Sequence, residues 1–497
     1  MSSAAGEEEA PALRPDPLVV ARRLAASGKP WFWLDGAVAS PGETRTSYLG
    51  TASEVRVARP GDETGFLAGL RHSPGGARAN APGFAGGWVV ALGYEFGVGL
   101  LGIGTHGSGA PETALALRAD LVLALDHAAG TAELRGGTAG QRERWSEEFL
   151  RDATDGPDPS AAPSAGLGGG EPGHWVPGGA SPSGPRWRAA DTAYADRVAA
   201  CKQAIAAGEA YVLCLTDTAE VRGEFDPVSV YTALRDSGSA VRGGVVSAAG
   251  RALVSASPER FLSVSAGEVS THPIKGTRPR GATPAEDEAL AAELAVDPKE
   301  RAENLMIVDL MRNDLSRVCV PGSVAVDGFL RVETHPHVHQ LVSTVTGRLR
   351  EGADAIDAIE ACFPGGSMTG APKRRAVEIL ATLEDGPRGL YSGCFGWLDD
   401  GGDAELAMTI RSVELRDGTA YVGAGGGITA DSVAAHEVAE KHLKAASVLA
   451  GLGASVPAGL GASVRPVARD EPLDPRAPQH CHGDPEHRSR PSPGSSR

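Results

Sequence analysis

Two apolar runs stand out early in the chain. Trp31-Phe32-Trp33-Leu34 and Gly86-Gly87-Trp88-Val89-Val90-Ala91-Leu92 read as strands. From Tyr194 to Ala207 the apolar positions recur with helical spacing, and Gly208 stops the pattern. A strand-like run follows at Tyr211–Thr216, and Pro298–Asp309 and Val433–Leu449 read as helices. Strands are expected near 338–349, 392–399, 405–415 and 420–424. Gly423–Ser432 reads as a glycine-rich turn between a strand and a helix, and Phe363–Lys373 as a second such turn opening a helix over Arg374–Leu383. Between and around these elements the pattern fails. Residues 1–17 are expected to be a disordered N-terminus and 18–154 the N-terminal part of a folded body. The Gly/Pro/Ser-rich span 155–187 is expected to be a flexible linker, 188–452 a densely structured domain, and 453–497 a disordered tail.

Composition narrows the function. The 497 residues include 47 basic and 63 acidic side chains, a net charge of −16. That balance disfavours nucleic acid or an anionic membrane surface as partner, while leaving room for local basic pockets. A hydrophobic content of 41% supports a sizeable core. No stretch reaches the length of a membrane span, and the start has no apolar secretory segment. Cys201, Cys214, Cys319, Cys362, Cys394 and Cys481 form no Cys-x-x-Cys pair, which fits free thiols in a reducing, cytoplasmic setting. His480-Cys481-His482 and His487 lack the spacing of a zinc site.

Several segments could carry chemistry. Lys275, in His-Pro-Ile-Lys-Gly-Thr-Arg-Pro-Arg-Gly, follows Glu259, in Ser-Pro-Glu-Arg-Phe-Leu, by sixteen positions. The lysine can act as an amine nucleophile if its pKa is lowered, and the glutamate as an acid if burial raises its own. Glu300 and Glu303 share one helical face, and so do Glu437 and Glu440. If the two faces converge, four carboxylates require a cation, and a hard one such as Mg²⁺ suits oxygen donors. The 423–432 glycines could cradle an anion, and Arg411 could clamp a carboxylate. Taken singly, each has a plain alternative: a solvated loop lysine, a solvated helix face, a tight turn, a surface charge.

Together these blocks resemble the chorismate-utilising enzymes. Ser-Pro-Glu-Arg-Phe-Leu, Pro-Ile-Lys-Gly-Thr-Arg-Pro-Arg-Gly, Ala-Glu-Asn-Leu-Met-Ile-Val-Asp-Leu-Met-Arg-Asn-Asp, Val-His-Gln-Leu-Val-Ser-Thr-Val, Phe-Pro-Gly-Gly-Ser-Met-Thr-Gly-Ala-Pro-Lys and Gly-Ala-Gly-Gly-Gly-Ile-Thr-Ala-Asp-Ser occur in the family's order over about 188–450. A weaker likeness covers Ser47-Tyr-Leu-Gly and Gly86–Glu95. The resemblance implies an α+β fold, two large antiparallel sheets packed as a sandwich with helices outside. Members that make anthranilate usually carry alanine where this chain has Lys275, whereas members that aminate chorismate at C4 carry lysine. The implied activity is therefore formation of 4-amino-4-deoxychorismate through a covalent Lys275 intermediate, for p-aminobenzoate or a specialised metabolite. The alternatives are anthranilate or 2-amino-2-deoxyisochorismate formation, or a non-catalytic chorismate-binding subunit.

The same resemblance assigns residues. Lys275 is the nucleophile and Glu259 the acid. Glu303 and Glu440 would bind Mg²⁺ directly, and Glu300 and Glu437 through water. Tyr391, Arg411 and Gly425 would hold the enolpyruvyl carboxylate, and Gly276, Thr277, Gly427 and Lys444 would surround the ring carboxylate. Ser367 is a further substrate contact. Val212 stands where water-adding members carry a lysine, so hydroxylation at C2 is disfavoured. Gln340 stands where many relatives have histidine, with His339 one place earlier. The Leu-Leu-Glu-Ser and Asn-Pro-x-Pro-Tyr elements of tryptophan-inhibited members are replaced near 33–36 by Trp-Leu-Asp-Gly and near 236–243 by Asp-Ser-Gly-Ser-Ala-Val-Arg-Gly. With no Gly-x-Cys-x-Gly nucleophile segment in the chain, ammonia is expected from a glutamine amidotransferase partner or from external ammonium.

Overall fold

The computed structural model describes residues 15–38, 44–71, 83–104, 112–151, 153, 182–237, 241–335 and 337–454. Two large antiparallel sheets lie face to face. The first has eleven strands. Its main path runs Gly370–Ala371, Val212–Arg222, Thr419–Ile428, Ser412–Arg416, Arg251–Ser257, Arg242–Ala248, Trp31–Asp35, Thr46–Thr51, Leu121–Asp126, Thr131–Gly136. The second has nine, from Ala325–Val326 through Val345–Arg348, Glu268–His272, Arg260–Ser265, Ala404–Met408, Cys394–Asp399, Gly87–Leu92 and Ala114–Ala119 to Glu54–Ala58.

The apolar runs of the sequence are continuous because both faces of each sheet are covered. Phe32, Leu34 and Val246 of the first sheet meet Val89, Ala91, Leu117 and Phe395 of the second in one buried cluster between the layers. Their strand neighbours point the other way. Trp31, Trp33 and Val245 pack on Val20, Leu24, Tyr231 and Val448 of the outer helices, and Trp88, Val90 and Leu92 share a cluster with Phe66, Ile307 and Ile359. In each sheet the strands from before the expected linker form one block that pairs directly with the block from after it, Trp31–Asp35 with Arg242–Ala248 and Gly87–Leu92 with Cys394–Asp399, so 18–154 and 188–452 share their cores rather than folding apart.

Several expectations change in detail. The chain is ordered before residue 18, in a helix over Pro17–Ala26 whose first turn is capped by Asp16 accepting from the Leu18 amide at 2.8 Å. Arg186–Trp187, the end of the expected linker, forms a strand paired with Glu220 and Ala219. The remaining tail and linker expectations, with the His480–His487 cluster, lie outside the described residues. Gly423–Gly427 is no turn. It lies inside the strand Thr419–Ile428, so any anion contact from that run would come from a strand and not from a turn at a helix N-terminus. The 338–349 segment is two strands, Val338–Val342 and Val345–Arg348, in different sheets. Val338–Val342 joins Ile274–Pro279 and Arg331–Thr334 in a third, three-stranded sheet.

Two crossings between the large sheets set up the site. Arg251–Ser257 belongs to the first sheet and Arg260–Ser265 to the second, with Glu259 in the link. Ala404–Met408 belongs to the second and Ser412–Arg416 to the first, with Arg411 in the link at φ 50°. The links lie side by side, Met408 N donating to Glu259 O and Ala256 N to Arg411 O, each at 3.0 Å.

Candidate active site

Lys275 stands on the strand Ile274–Pro279, where the pairing register with Val338–Val342 shifts between Ile274 and Thr277. The irregularity takes up Lys275 and Gly276 and re-aims the lysine. Gly276 has φ +82°, and a Cβ there would sit 2.8 Å from Leu294 and 3.0 Å from the Glu300 side chain, so only glycine lets this strand approach the Glu300 helix so closely. Lys275 is half-buried. Burial alone would lower its pKa. The charges of Glu303, Cys214, Glu259 and Glu440 outweigh that, and the ammonium is held above the usual lysine value. This departs from the lowered pKa that nucleophilic attack requires.

Glu259 meets its own requirement. It is buried, and burial pushes its carboxyl up to about 7, against the opposing pull of a Ser367 hydrogen bond and of Lys275. Ser367, expected at the substrate, instead donates its hydroxyl to Glu259 Oε1 at 2.5 Å from the short turn Gly366–Met368.

The two acidic helix faces converge. Glu300 and Glu303 lie in the helix Pro298–Ser316, whose start is capped by Asp297, and Glu437 and Glu440 in the helix Ala434–Gly451. A Cβ on Gly426 would lie 3.1 Å from Glu437 Oε2 and 3.3 Å from Glu440 Oε1, and one on Gly427 would lie 3.8 Å from Glu303 Oε2. The glycine strand is thus the floor under carboxylates from both helices, which is the physical demand behind that run. Burial and the neighbouring Glu303 raise the Glu300 carboxyl, and burial raises Glu437, partly offset by Ser432. Glu440 is held low, because Lys444 at 2.6 Å outweighs its burial.

Among the described residues no three His, Cys, Asp or Glu side chains close on one point as a ready-made metal cluster. The donor set still fits a hard divalent cation. It consists of carboxylate oxygens crowded enough to need positive charge, over a floor with no side chains at Gly426 and Gly427.

The remaining expected residues divide. The Lys444 ammonium donates to Gly425 O at 3.0 Å, which places both at the carboxylates. Tyr391 is buried, its ring lying where a Cβ on Gly423 would come within 2.1 Å. Arg411 is exposed, its guanidinium 3.4 Å from Ser447 Oγ. Thr277 is exposed and paired with Gln340. Val212 Cγ2 would lie 3.4 Å from a Cβ on Gly427, so it lines the same floor. His339 does not stand in for the missing histidine: it is held by Asp287 and Thr334, each at 2.9 Å, and neighbouring strand residues face opposite ways.

Two residues escaped the sequence reading. Lys299 lies 3.8 Å from Glu303 and feels the charge of all four glutamates. Arg278, three residues past Lys275, grips Glu293 at 2.8 and 3.0 Å and Asp297 at 3.0 Å, and reaches Glu300 at 3.6 Å. The i,i+4 spacing of Lys299 and Glu303 was a visible signal; the partners of Arg278 were not.

A cavity of about 170 Å³ lies between the sheets and collects both segments that replace the tryptophan elements, including Leu34, Asp35, Gly36, Arg242 and Gly243. Its charges are already matched. Arg242 and Arg260 hold Glu405 at 3.0 and 2.8 Å, and Asp35 accepts from Ser47, Tyr231 and the Ala37 amide. Saturating tryptophan is therefore expected to leave the melting temperature of the protein unchanged; a tryptophan-dependent rise would contradict this.

A two-sheet α+β body that sets a lysine and a buried acid beside converging carboxylates defines a site for small-molecule chemistry. Comparison with known proteins gives the family. The chorismate binding enzyme family matches residues 27–450, and the chain belongs to it. It is 42% identical over 399 residues to aminodeoxychorismate synthase of Streptomyces griseus, covering 78% of this chain and 53% of that protein. It is 39% identical over 471 residues to aminodeoxychorismate synthase of Streptomyces pristinaespiralis, covering 88% and 64%. The chain thus spans between half and two thirds of the length of these relatives. Anthranilate synthase component 1 of Streptomyces coelicolor is 36% identical over 442 residues, covering 87% of this chain and 86% of that one. The crystal structure of anthranilate synthase component I from Streptococcus pneumoniae superposes with a TM-score of 0.66 at 27% identity, covering 84% and 90%. No described helix is long and apolar enough to cross a membrane.

Proposed function

We propose that this chain converts chorismate and ammonia to 4-amino-4-deoxychorismate, the ammonia coming from a glutamine amidotransferase partner. The observation that carries this reading is the buried Glu259, titrating near 7 beside Lys275. The names of two relatives support it. The Lys275 amine adds at C2 of the ring, the two π bonds shift by one carbon each, and the C4 hydroxyl leaves with the Glu259 proton. Ammonia then adds at C4, the π bonds shift back, and the lysine nitrogen departs from C2. Val212 offers no base for water at C2. Glu303 and Glu440 directly, and Glu300 and Glu437 through water, would hold Mg²⁺, which supplies Lewis acidity at the ring carboxylate and cancels the carboxylate charge that keeps Lys275 protonated. Tyr391 and Arg411 are proposed for the enolpyruvyl carboxylate, and Lys444, Thr277 and the amides of Gly276 and Gly427 for the ring carboxylate.

The test is product identification by mass after incubation with chorismate, Mg²⁺ and ammonium. The expected product is 4-amino-4-deoxychorismate. Anthranilate with released pyruvate, or a 2-amino product, would replace this reading with the anthranilate-type one. No turnover at saturating ammonium would favour a binding subunit.

A further inference from the structure

One buried charge belongs to neither the lysine–glutamate pair nor the carboxylates. Lys441 is fully buried on the C-terminal helix, one position after Glu440 and one turn after Glu437. The buried stripe of that helix is Glu437, Lys441, Ala445, Val448 and Leu449. Two charged residues therefore sit where an amphipathic helix would place apolar ones. The Lys441 ammonium lies 3.2 Å from Asp217 Oδ2 and 3.2 Å from Asp191 Oδ1. It also stands 4.3 Å over the Trp187 ring and 4.6 Å over the Tyr194 ring. The adjacent His442 is tied to the same Asp191 at 2.7 Å.

The partner strand gives this cage its meaning. Asp217, itself buried, is paired directly opposite Ala424, two residues from Gly426. A salt bridge from Lys441 to Asp217 thus fastens the C-terminal helix to the strand that pairs with the floor of the carboxylate site. Apolar contacts from Ala445, Val448 and Leu449 would tolerate a helix turned or slid along its axis. A buried ammonium has one place where its charge is met. A slip of one residue moves a helix by about 1.5 Å and turns it by about 100°. That would carry Glu437 and Glu440 away from Gly426, where they now lie within 3.3 Å of its absent Cβ.

We infer that Lys441 is a positioning residue: its bond to Asp217 inside the Trp187–Tyr194 cage fixes the rotation and height of the C-terminal helix and thereby sets Glu437 and Glu440 for the divalent cation. The inference rests on the proposed cation site. Its test reads cation binding directly, by the electron paramagnetic resonance signal of free Mn²⁺ titrated with the full chain, beside melting temperature and the KM for chorismate. Lys441→Met keeps the side-chain length and fills the cage without charge. Lys441→Met with Asp217→Asn also removes the orphaned carboxylate. Both variants are expected to bind Mn²⁺ about tenfold or more weakly, with a raised KM for chorismate, while the double variant recovers the melting temperature of the wild type. That split separates positioning from plain stabilisation, which would move the melting temperature and leave affinity per folded molecule unchanged. If the single variant fails to fold, the double variant carries the test. Wild-type Mn²⁺ affinity in the folded double variant would overturn the inference. Absence of Mn²⁺ binding by the wild type would remove the cation site itself, and this inference with it.

Discussion

Lys275→Ala is expected to lose formation of 4-amino-4-deoxychorismate from chorismate and ammonium by at least about 10³-fold, the scale on which a covalent nucleophile is missed. The variant should still fold, with a modest fall in melting temperature, because the field of Glu303, Glu259 and Glu440 favours the charged Lys275 side chain but none of its contacts among the described residues is a short ion pair. The loss would therefore be chemical. Lys275 also has a second candidate role, as a positive charge among Glu303, Glu259 and Glu440. Lys275→Arg separates the two. A guanidinium keeps the charge but stays protonated and does not attack carbon. The covalent route expects Lys275→Arg to be as inactive as Lys275→Ala. If arginine restored the 4-amino product, the side chain would be acting through its charge alone, and ammonia would have to attack C4 directly.

The charge state of this lysine shows how a local motif can be read correctly and its electrostatics misjudged. A lysine between Pro-Ile and Gly-Thr gives no hint of which carboxylates will surround it. The irregular pairing at Ile274–Thr277 brings it within the field of Glu303, Glu259 and Glu440, which come from two helices and a sheet-crossing link. Their sum reverses the effect of burial. A divalent cation on those carboxylates, as proposed, would cancel the charge that holds the lysine protonated and so would couple cation binding to its nucleophilicity.

Legibility followed the range of the interactions. The strands at Trp31–Leu34 and Gly87–Leu92 and the helices bearing the Glu-x-x-Glu pairs were visible because their signals lie within a few residues. The convergence of those pairs was only conditional, since nothing local says that Glu303 and Glu437 meet over Gly426 and Gly427. The glycine run was misread for a related reason. Glycine marks turns by its conformational freedom, yet here it lies in a regular strand and is demanded by what approaches it, the Tyr391 ring at Gly423 and the carboxylates at Gly426. The run over 405–415 hid a break at Thr409–Arg411, because strands on either side of a sheet crossing keep the same composition. That crossing, with the one at Glu259, puts the acid where the two sheets part.

Burial at that crossing makes the last prediction quantitative. Glu259→Gln is expected to lower the rate of 4-amino-4-deoxychorismate formation by about 10²- to 10⁴-fold, the usual contribution of a general acid. In the wild type the acid form is lost as pH rises through about 7, so kcat should fall on that side, and the residual activity of Glu259→Gln should show no such limb. With rising pH the stability of the wild type falls in the same sense as its activity. The Glu259 carboxyl holds its proton more tightly folded than unfolded, about 7 against 4.5. Its protonation therefore favours the folded state fully below pH 4.5, and that contribution is lost as pH rises through about 7. Above that, the wild type keeps a buried carboxylate relieved only by Ser367 and Lys275, whereas glutamine carries no charge. Glu259→Gln should thus gain stability relative to the wild type between pH 4.5 and about 7 and hold the gain beyond, on the order of 3 kcal/mol by denaturant melts at pH 8 against pH 4.5. A variant equally stable relative to the wild type at both pH values would mean that folding does not raise the Glu259 pKa, and a carboxyl ionised near neutral pH cannot protonate the departing C4 hydroxyl.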